Sequence, residues 1–286
     1  FRSMQRIKRV LAIHDISCVG RCSLTVALPI ISAAGIETSV LPTAVLSTHT
    51  GGFKNFTLHD LTSEMPKIDA HWRELGEEFD AIYTGFLCSR EQMEITAELM
   101  DAHPEAMRII DPVMGDNGQL YTIFDDDFVE GMTEFSSKAD VISPNMTEAA
   151  LLLKEKYTEG PYTKAQIEEC LLKLHEKLGV KKIVLTGVYL DDRELGAACY
   201  DANSGNVEFA LTENVEGTYH GTGDVFASVL SAAIVRGMNL TEAAHAAAVT
   251  TCEAIKITHA KATDPKYGVD FEIALPVMMR ELGIIK

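Results

Sequence analysis

The chain is short of cations. Its 286 residues include 25 Lys and Arg against 42 Asp and Glu, a formal net charge of −17. A nucleic-acid partner needs a basic face to meet its phosphates, so this balance argues against one. A nucleotide ligand stays open, because backbone N–H groups and Mg²⁺ hold small phosphates without a basic surface. Cysteine is sparse and scattered: Cys18 and Cys22 are the one close pair among Cys18, Cys22, Cys88, Cys170, Cys199 and Cys252, and no second pair of zinc-type spacing accompanies them. All six read as reduced thiols of a cytoplasmic protein. No uninterrupted apolar run is long enough to span a bilayer, so no membrane partner is expected, and no signal peptide is visible. Phe1-Arg2-Ser3 before Met4 reads as a remnant of cloning. Internal repeats, low-complexity runs and a clear linker are all missing. So is the Gly-x-Gly-x-x-Gly turn that a dinucleotide oxidoreductase carries after its first strand.

What is present is a core. At 47% hydrophobic, the chain fills one large α/β domain, taken here as residues 1–286. Val10 to His14 reads as a buried first strand, followed by a polar turn from His14 to Arg21 and a helix from Ser23 to Ala34 that Gly35 ends. Further strands are predicted at Glu37–Leu41, Asp80–Gly85, Met107–Val113, Asp140–Ser143 and Lys182–Thr186. Helices are predicted between them at Leu61–Phe79, Glu91–Ala102, Asp127–Phe135 and Lys164–Leu178. Asn203-Ser204-Gly205 reads as a hairpin turn between Leu195–Tyr200 and Asn206–Leu211. A helix opens at Gly221, an Ala-rich helix from Thr241 to about His259 should pack closely on a neighbour, and Asp270–Leu282 closes the chain as a helix. This alternation implies a mainly parallel sheet with helices on both faces and a small antiparallel edge.

The stretch that organises the rest is Gly221-Thr222-Gly223-Asp224, running directly into an apolar helical segment. Two glycines let the backbone turn tightly and come close to a ligand, and the first N–H groups of the helix have no partner inside it. Such a terminus attracts anions, phosphate above all. A carboxylate there is repelled by bound phosphate yet well placed to take a proton from a hydroxyl, which suggests phosphoryl transfer to an alcohol. Alternatively, Asp224 merely favours the helix dipole. Three other segments admit two readings as well. Ser47-Thr48-His49-Thr50-Gly51-Gly52 is a ligand loop or an ordinary connection. Asp111-Pro112-Val113-Met114-Gly115-Asp116 holds Mg²⁺ or is a turn. Asn145 and Glu148 form a capping box, or aim a carboxylate at the crevice.

In their order along the chain, these segments and Leu11 to Gly20 resemble the ribokinase-like superfamily and, within it, the pyridoxal kinase branch of vitamin B6 salvage. The resemblance covers nearly the whole chain. It implies ATP-dependent phosphorylation of the 5′-hydroxyl of pyridoxal, pyridoxine or pyridoxamine, with Mg²⁺, a monovalent cation such as K⁺, and a homodimer. By the same resemblance Asp224 is the base, and Gly221, Thr222 and Gly223 form the anion hole. Asp111 and Glu148 lie near the metal and triphosphate with Asn145 beside them, and Ser143, Thr186, Gly187 and Thr222 line the nucleotide side. Ser47, His49, Thr50 and Gly51 face the vitamer. Asp15 departs from the family, which usually has Ser there, and a carboxylate would favour a protonated ring nitrogen. The segment Glu216-Gly217-Thr218-Tyr219-His220 beside the anion hole lacks the Cys found in some dual-substrate relatives, so no hemithioacetal with pyridoxal is expected there. The alternatives are a hydroxymethylpyrimidine kinase of thiamine synthesis, a sugar kinase, and a non-catalytic nucleotide or pyridoxal-phosphate binding protein.

Overall fold

A computed structural model describes residues 6–286; Phe1-Arg2-Ser3, read above as a remnant, lies outside the described residues. Six strands run parallel through the middle of the sheet: β1 (Arg9–Ser17), β2 (Glu37–Leu46), β4 (Ala81–Thr84), β5 (Met107–Ile110), β8 (Val141–Ile142) and β9 (Lys182–Val188). One edge is closed by β3 (Leu58–Asp60), antiparallel to β2. The hairpin of β10 (Glu194–Asp201) and β11 (Asn206–Glu213) closes the other. The nine strands stand in the order β11-β10-β9-β8-β5-β4-β1-β2-β3. A separate small hairpin pairs β6 (Gly115–Asp116) with β7 (Gln119–Leu120).

Parallel strands need helical crossovers, and those helices bury both faces of the sheet. Along β4, Ala81 and Tyr83 face one layer and Ile82 the other, and all three are fully buried. The first layer holds α1 (Leu24–Ala33), α7 (Thr222–Val235), α8 (Leu240–Lys261) and α9 (Phe271–Glu281). The second holds α2 (Met65–Leu75), α3 (Arg90–Ala102), α4 (Asp126–Ser136), α5 (Met146–Leu153) and α6 (Lys164–Leu178). The Ala-rich helix does pack closely: Ala243, Ala244, Ala247 and Ala254 are buried as α8 lies against α7, α9 and the edge hairpin. All six cysteines are unpaired thiols. Among the described residues, no helix is long and apolar enough to cross a membrane.

Three boundaries differ from the sequence reading. β1 runs on through His14 to Ser17, and its register with β2 slips between His14 and Ile16, where Thr43 and Ala44 of β2 stand opposite Asp15 alone. β2 passes Pro42 because it is an edge there; β3 pairs only with Ala44–Leu46, so a missing N–H is tolerated. α2 is shorter than Leu61–Phe79, since Gly76 stops it in the left-handed conformation at φ 72°.

Gly196 fixes how the edge hairpin sits. A Cβ there would lie 2.1 Å from the Ala210 carbonyl oxygen, a backbone atom that cannot step aside. Gly196→Ala should therefore cost about 1–3 kcal/mol, read as a lower unfolding midpoint in denaturant.

Candidate active site

The carboxyl ends of the parallel strands open into a crevice of about 350 Å³, the place where doubly wound sheets bind ligands. Asp111 follows β5, Ser143 follows β8, and Thr186 and Gly187 lie in the last turn of β9. The start of α7 closes the opposite wall with Gly221, Thr222, Gly223 and Asp224. Gly221 is left-handed at φ 76°, and its missing Cβ lets it pack on the Arg21 carbonyl oxygen, which a Cβ would approach to 2.2 Å. No side chain caps this helix, so its first N–H groups point outward for an anion. Gly223 has open space before it, with nothing within 4 Å of a would-be Cβ.

Asp224 is half-buried beneath these donors. Its carboxyl is pushed up to about 6, mainly by burial and further by the charge of Asp15, against the pull of the Ser23 N–H. That N–H donates to Asp224 Oδ2 at 3.0 Å, while the Ser23 hydroxyl donates to Asp15 Oδ1 at 2.6 Å and Ser17 donates to Asp15 Oδ2 at 2.9 Å. Ser23 thus joins two carboxylates, and it does so at φ 54° and ψ −130°, a backbone conformation that belongs to glycine. Asp15 is 3% exposed, and burial raises its carboxyl against the two serine donors.

Asp111 and Glu148 are buried across the crevice. Glu148 completes the capping box of α5: its Oε2 accepts from the Asn145 N–H at 2.8 Å, and Asn145 Oδ1 accepts from the Glu148 N–H at 2.8 Å. Its Oε1 accepts from the Met114 N–H at 3.2 Å. Asn145 also donates from Nδ2 to the Gly115 carbonyl at 2.9 Å. The capping and crevice-facing readings of this pair therefore hold together. Burial, and then the charges of Glu148 and Asp224, push Asp111 well above the carboxylate range; no hydrogen-bond donor offsets them. Burial likewise raises Glu148. A buried carboxylate without a donor fits a cation. Among the described residues no three His, Cys, Asp or Glu side chains converge as a metal cage, so the donor set suits an ion held largely by water and phosphate, as Mg²⁺ is. The Ser143 hydroxyl is buried without a partner, a donor left for a ligand.

The loop after β2 lies outside the crevice lining but joins it through one contact. Gly51 carries no Cβ, and one would sit 2.9 Å from His220 Cε1, a residue that does line the crevice. His49 is buried, its Nε2 donating to the Lys266 carbonyl at 2.6 Å and its Nδ1 accepting from the Gly51 N–H at 3.1 Å. Burial holds it below the usual histidine range, with His220 adding to that effect and the Lys266 carbonyl opposing it. Thr50 is exposed. Ser47 is turned to the base of its loop, where its hydroxyl accepts from the Thr57 N–H at 2.9 Å. Sequence reasoning missed Ser17, Ser23 and His220. A serine at a helix start gives no sign that it adopts a positive φ, and His220 was noted only as part of a segment without cysteine.

The chain is similar to known proteins over most of its length. The family described as phosphomethylpyrimidine kinase matches residues 28–269. A Bacteroides thetaiotaomicron protein, provisionally described as a phosphomethylpyrimidine kinase and crystallised with pyridoxal, is 37% identical with a TM-score of 0.90 over 96% of each chain. The pyridoxal kinase of Lactobacillus plantarum is 32% identical, with a TM-score of 0.88 over 96% of this chain and 98% of that one. The pyridoxine/pyridoxal/pyridoxamine kinase of Bordetella avium is 26% identical over 265 residues, 87% of this chain and 85% of that protein.

Two outcomes follow for variants. Ser23→Gly relieves the strained backbone and Ser23→Ala does not, while both lose the bond to Asp15; the glycine variant should be the more stable of the two by about 1 kcal/mol in denaturant titrations. Asp224 titrates near 6 when folded and near 3.8 in the unfolded chain, so the unfolded state releases its proton first and the wild type loses stability as pH rises through that window. Asp224→Asn should then be more stable than wild type by about 1–2 kcal/mol at pH 7, with the gain fading toward pH 4 in thermal melts.

Proposed function

This chain belongs to the phosphomethylpyrimidine kinase family, and on that premise we infer that it transfers a phosphoryl group from ATP to the hydroxymethyl oxygen of a B6 vitamer. The observation that carries this reading is an uncapped helix start with Asp224 beneath it, facing the same crevice. Outward N–H groups stabilise charge on a transferring phosphoryl group, and a carboxylate beside them receives the alcohol proton as the new P–O bond forms. Asp224 needs no higher pKa than it has. Its elevation makes it a better proton acceptor than an ordinary surface carboxylate while leaving it ionised at neutral pH.

The residue roles belong to the same reading. Gly221, Thr222 and Gly223 hold the phosphoryl oxygens. Ser143, Asn145, Thr186 and Gly187 line the nucleotide side, with the unpartnered Ser143 hydroxyl a donor to it. Asp111 would be the residue that holds Mg²⁺, and Glu148 would support it less directly because backbone donors already meet both of its oxygens. The ion would neutralise phosphate charge in a site crowded with carboxylates. Asp15, Thr50, Gly51 and the neutral His49 face the vitamer, while Ser47 shapes that loop. A monovalent cation and a homodimer belong to the same reading.

Asp15 selects the protonated pyridine ring, since its buried carboxylate pairs with a pyridinium and gains little from a neutral ring. The pyridoxal in the crystals of the Bacteroides thetaiotaomicron relative favours a pyridine over the alternative acceptor, a hydroxymethylpyrimidine.

The direct test is ADP release with Mg-ATP against pyridoxal, pyridoxine, pyridoxamine and hydroxymethylpyrimidine. Turnover on a B6 vitamer should fall by about 10³-fold or more in Asp224→Asn. Turnover on the pyrimidine alone would move the function to thiamine synthesis. For Asp15, the Michaelis constant for the vitamer should rise as the ring deprotonates in wild type and lose that pH dependence in Asp15→Ser; an unchanged profile would remove the pyridinium assignment.

A further inference from the structure

The crevice is unusual in its charge. Asp111, Asp116, Glu148, Glu213 and Asp224 line it, and among the described residues no lysine or arginine does. A site that handles phosphate normally brings cations to it. Here the nearest ones are committed elsewhere. Arg21, whose carbonyl oxygen packs on Gly221, pairs through its guanidinium with Asp270 at 2.9 Å and Glu272 at 2.8 Å. Lys266 pairs with Asp264 at 3.2 Å and lies over the rings of Phe53 and Tyr267.

One side chain on the lining can still take up a positive charge. His220 directly precedes the anion hole, is exposed to the crevice, and lies against Gly51 of the loop after β2. Its neighbour His49, with ring centroids 5.5 Å apart, cannot share the task. Both nitrogens of His49 are engaged, one as donor to Lys266 and one as acceptor from Gly51, so adding a proton would break the second bond. The charged and titratable groups on this wall with His220 are His49 from the loop after β2, Lys266 from the turn before α9, Tyr219 with its partner His259 on α8, Glu213 at the end of β11 with its partner Lys256 on α8, and Asp224 on α7.

We propose that His220, as imidazolium, is the cationic side chain that contacts the phosphoryl group in transfer and the phosphate of the product, in the place where other sites use lysine or arginine. This rests on the phosphotransfer reading above. The ring donates a charge-assisted hydrogen bond to a phosphoryl oxygen from the residue that directly precedes the anion hole. Two limbs of the pH profile follow. The acid limb comes from Asp224, which loses its proton near 6, and the proposal requires a second, alkaline limb that is absent when residue 220 carries no ionisable ring.

The test joins a binding readout to kinetics. The Cε1–H resonance of His220, assigned by its loss in His220→Gln, is titrated in the protein alone, with pyridoxine, and with pyridoxine 5′-phosphate, which has no aldehyde to react with lysines. The pKa should rise by about one unit or more with the phosphate and stay put with pyridoxine. His220→Gln should lose about 10- to 100-fold in kcat with little change in KM for the vitamer, and should lose the alkaline limb. His220→Arg should keep most of the activity and hold it to higher pH. Should arginine be too long for the space over Gly51, the resonance shift decides. A wild-type protein that turns over while His220→Gln matches it at every pH, or a resonance indifferent to the phosphate, overturns this inference alone. A wild type with no turnover on any acceptor overturns the phosphotransfer reading and this inference with it.

Discussion

The contacts of Ser23 set the geometry on which the site depends. Its N–H and its hydroxyl hold Asp224 and Asp15, two carboxylates that would otherwise repel each other across the end of the sheet. One comes from a helix late in the chain, the other from the first strand. The residue between them adopts a strained backbone to reach both. Such a conformation costs of order 1–3 kcal/mol and survives only where the surroundings over-determine it. Here they do: β1 is buried on both faces, α7 packs on α1 and α8, and neither can slide to relieve one serine.

That rigidity comes from the two apolar layers. Hydrophobic residues on alternate faces of the short parallel strands leave no strand free to tilt, and close contacts of Ala-rich α8 hold α7 at a fixed height over the crevice. The walls of the site are therefore placed by packing, and its polar groups are placed by local devices: a bulge of β2 opposite Asp15, a capping box at Asn145 and Glu148, an uncapped start at Gly221. Each device turns a backbone irregularity into an aimed side chain or an open donor.

The sequence carried the frame and most of the site. Alternating strands and helices, the Gly221 to Asp224 turn and the acidic segment at Asp111 are local patterns, and local patterns can be read. What escaped was set by tertiary pairing. β3 is three exposed residues with no hydrophobic signature, and only its partner β2 makes it a strand. The β6–β7 hairpin is two residues a side, although Asn117-Gly118 at its turn was a usable sign. Asp15 looked like a turn residue because the register slip beside it has no pattern of its own. Ser23 read as the start of a helix, and its link to Asp224 spans 201 positions of sequence. Gly76 was legible as a stop and was overrun by the amphipathic pattern around it.

The Asp111 carboxylate, buried and without a donor, has a thermodynamic consequence. In the crevice by itself burial favours the neutral form of this carboxyl, so a cation would have to displace its proton, and a polyphosphate entering alone would meet no lysine or arginine among the described residues of the lining. A cation entering alone would find few ligands. Each lowers the cost of the other, and the coupling is reciprocal: whatever factor the ion adds to nucleotide affinity, the nucleotide must add to the affinity for the ion. On the phosphotransfer reading, such a site would stay nearly empty of both until both are present. It would then sample the complex of the two rather than either component.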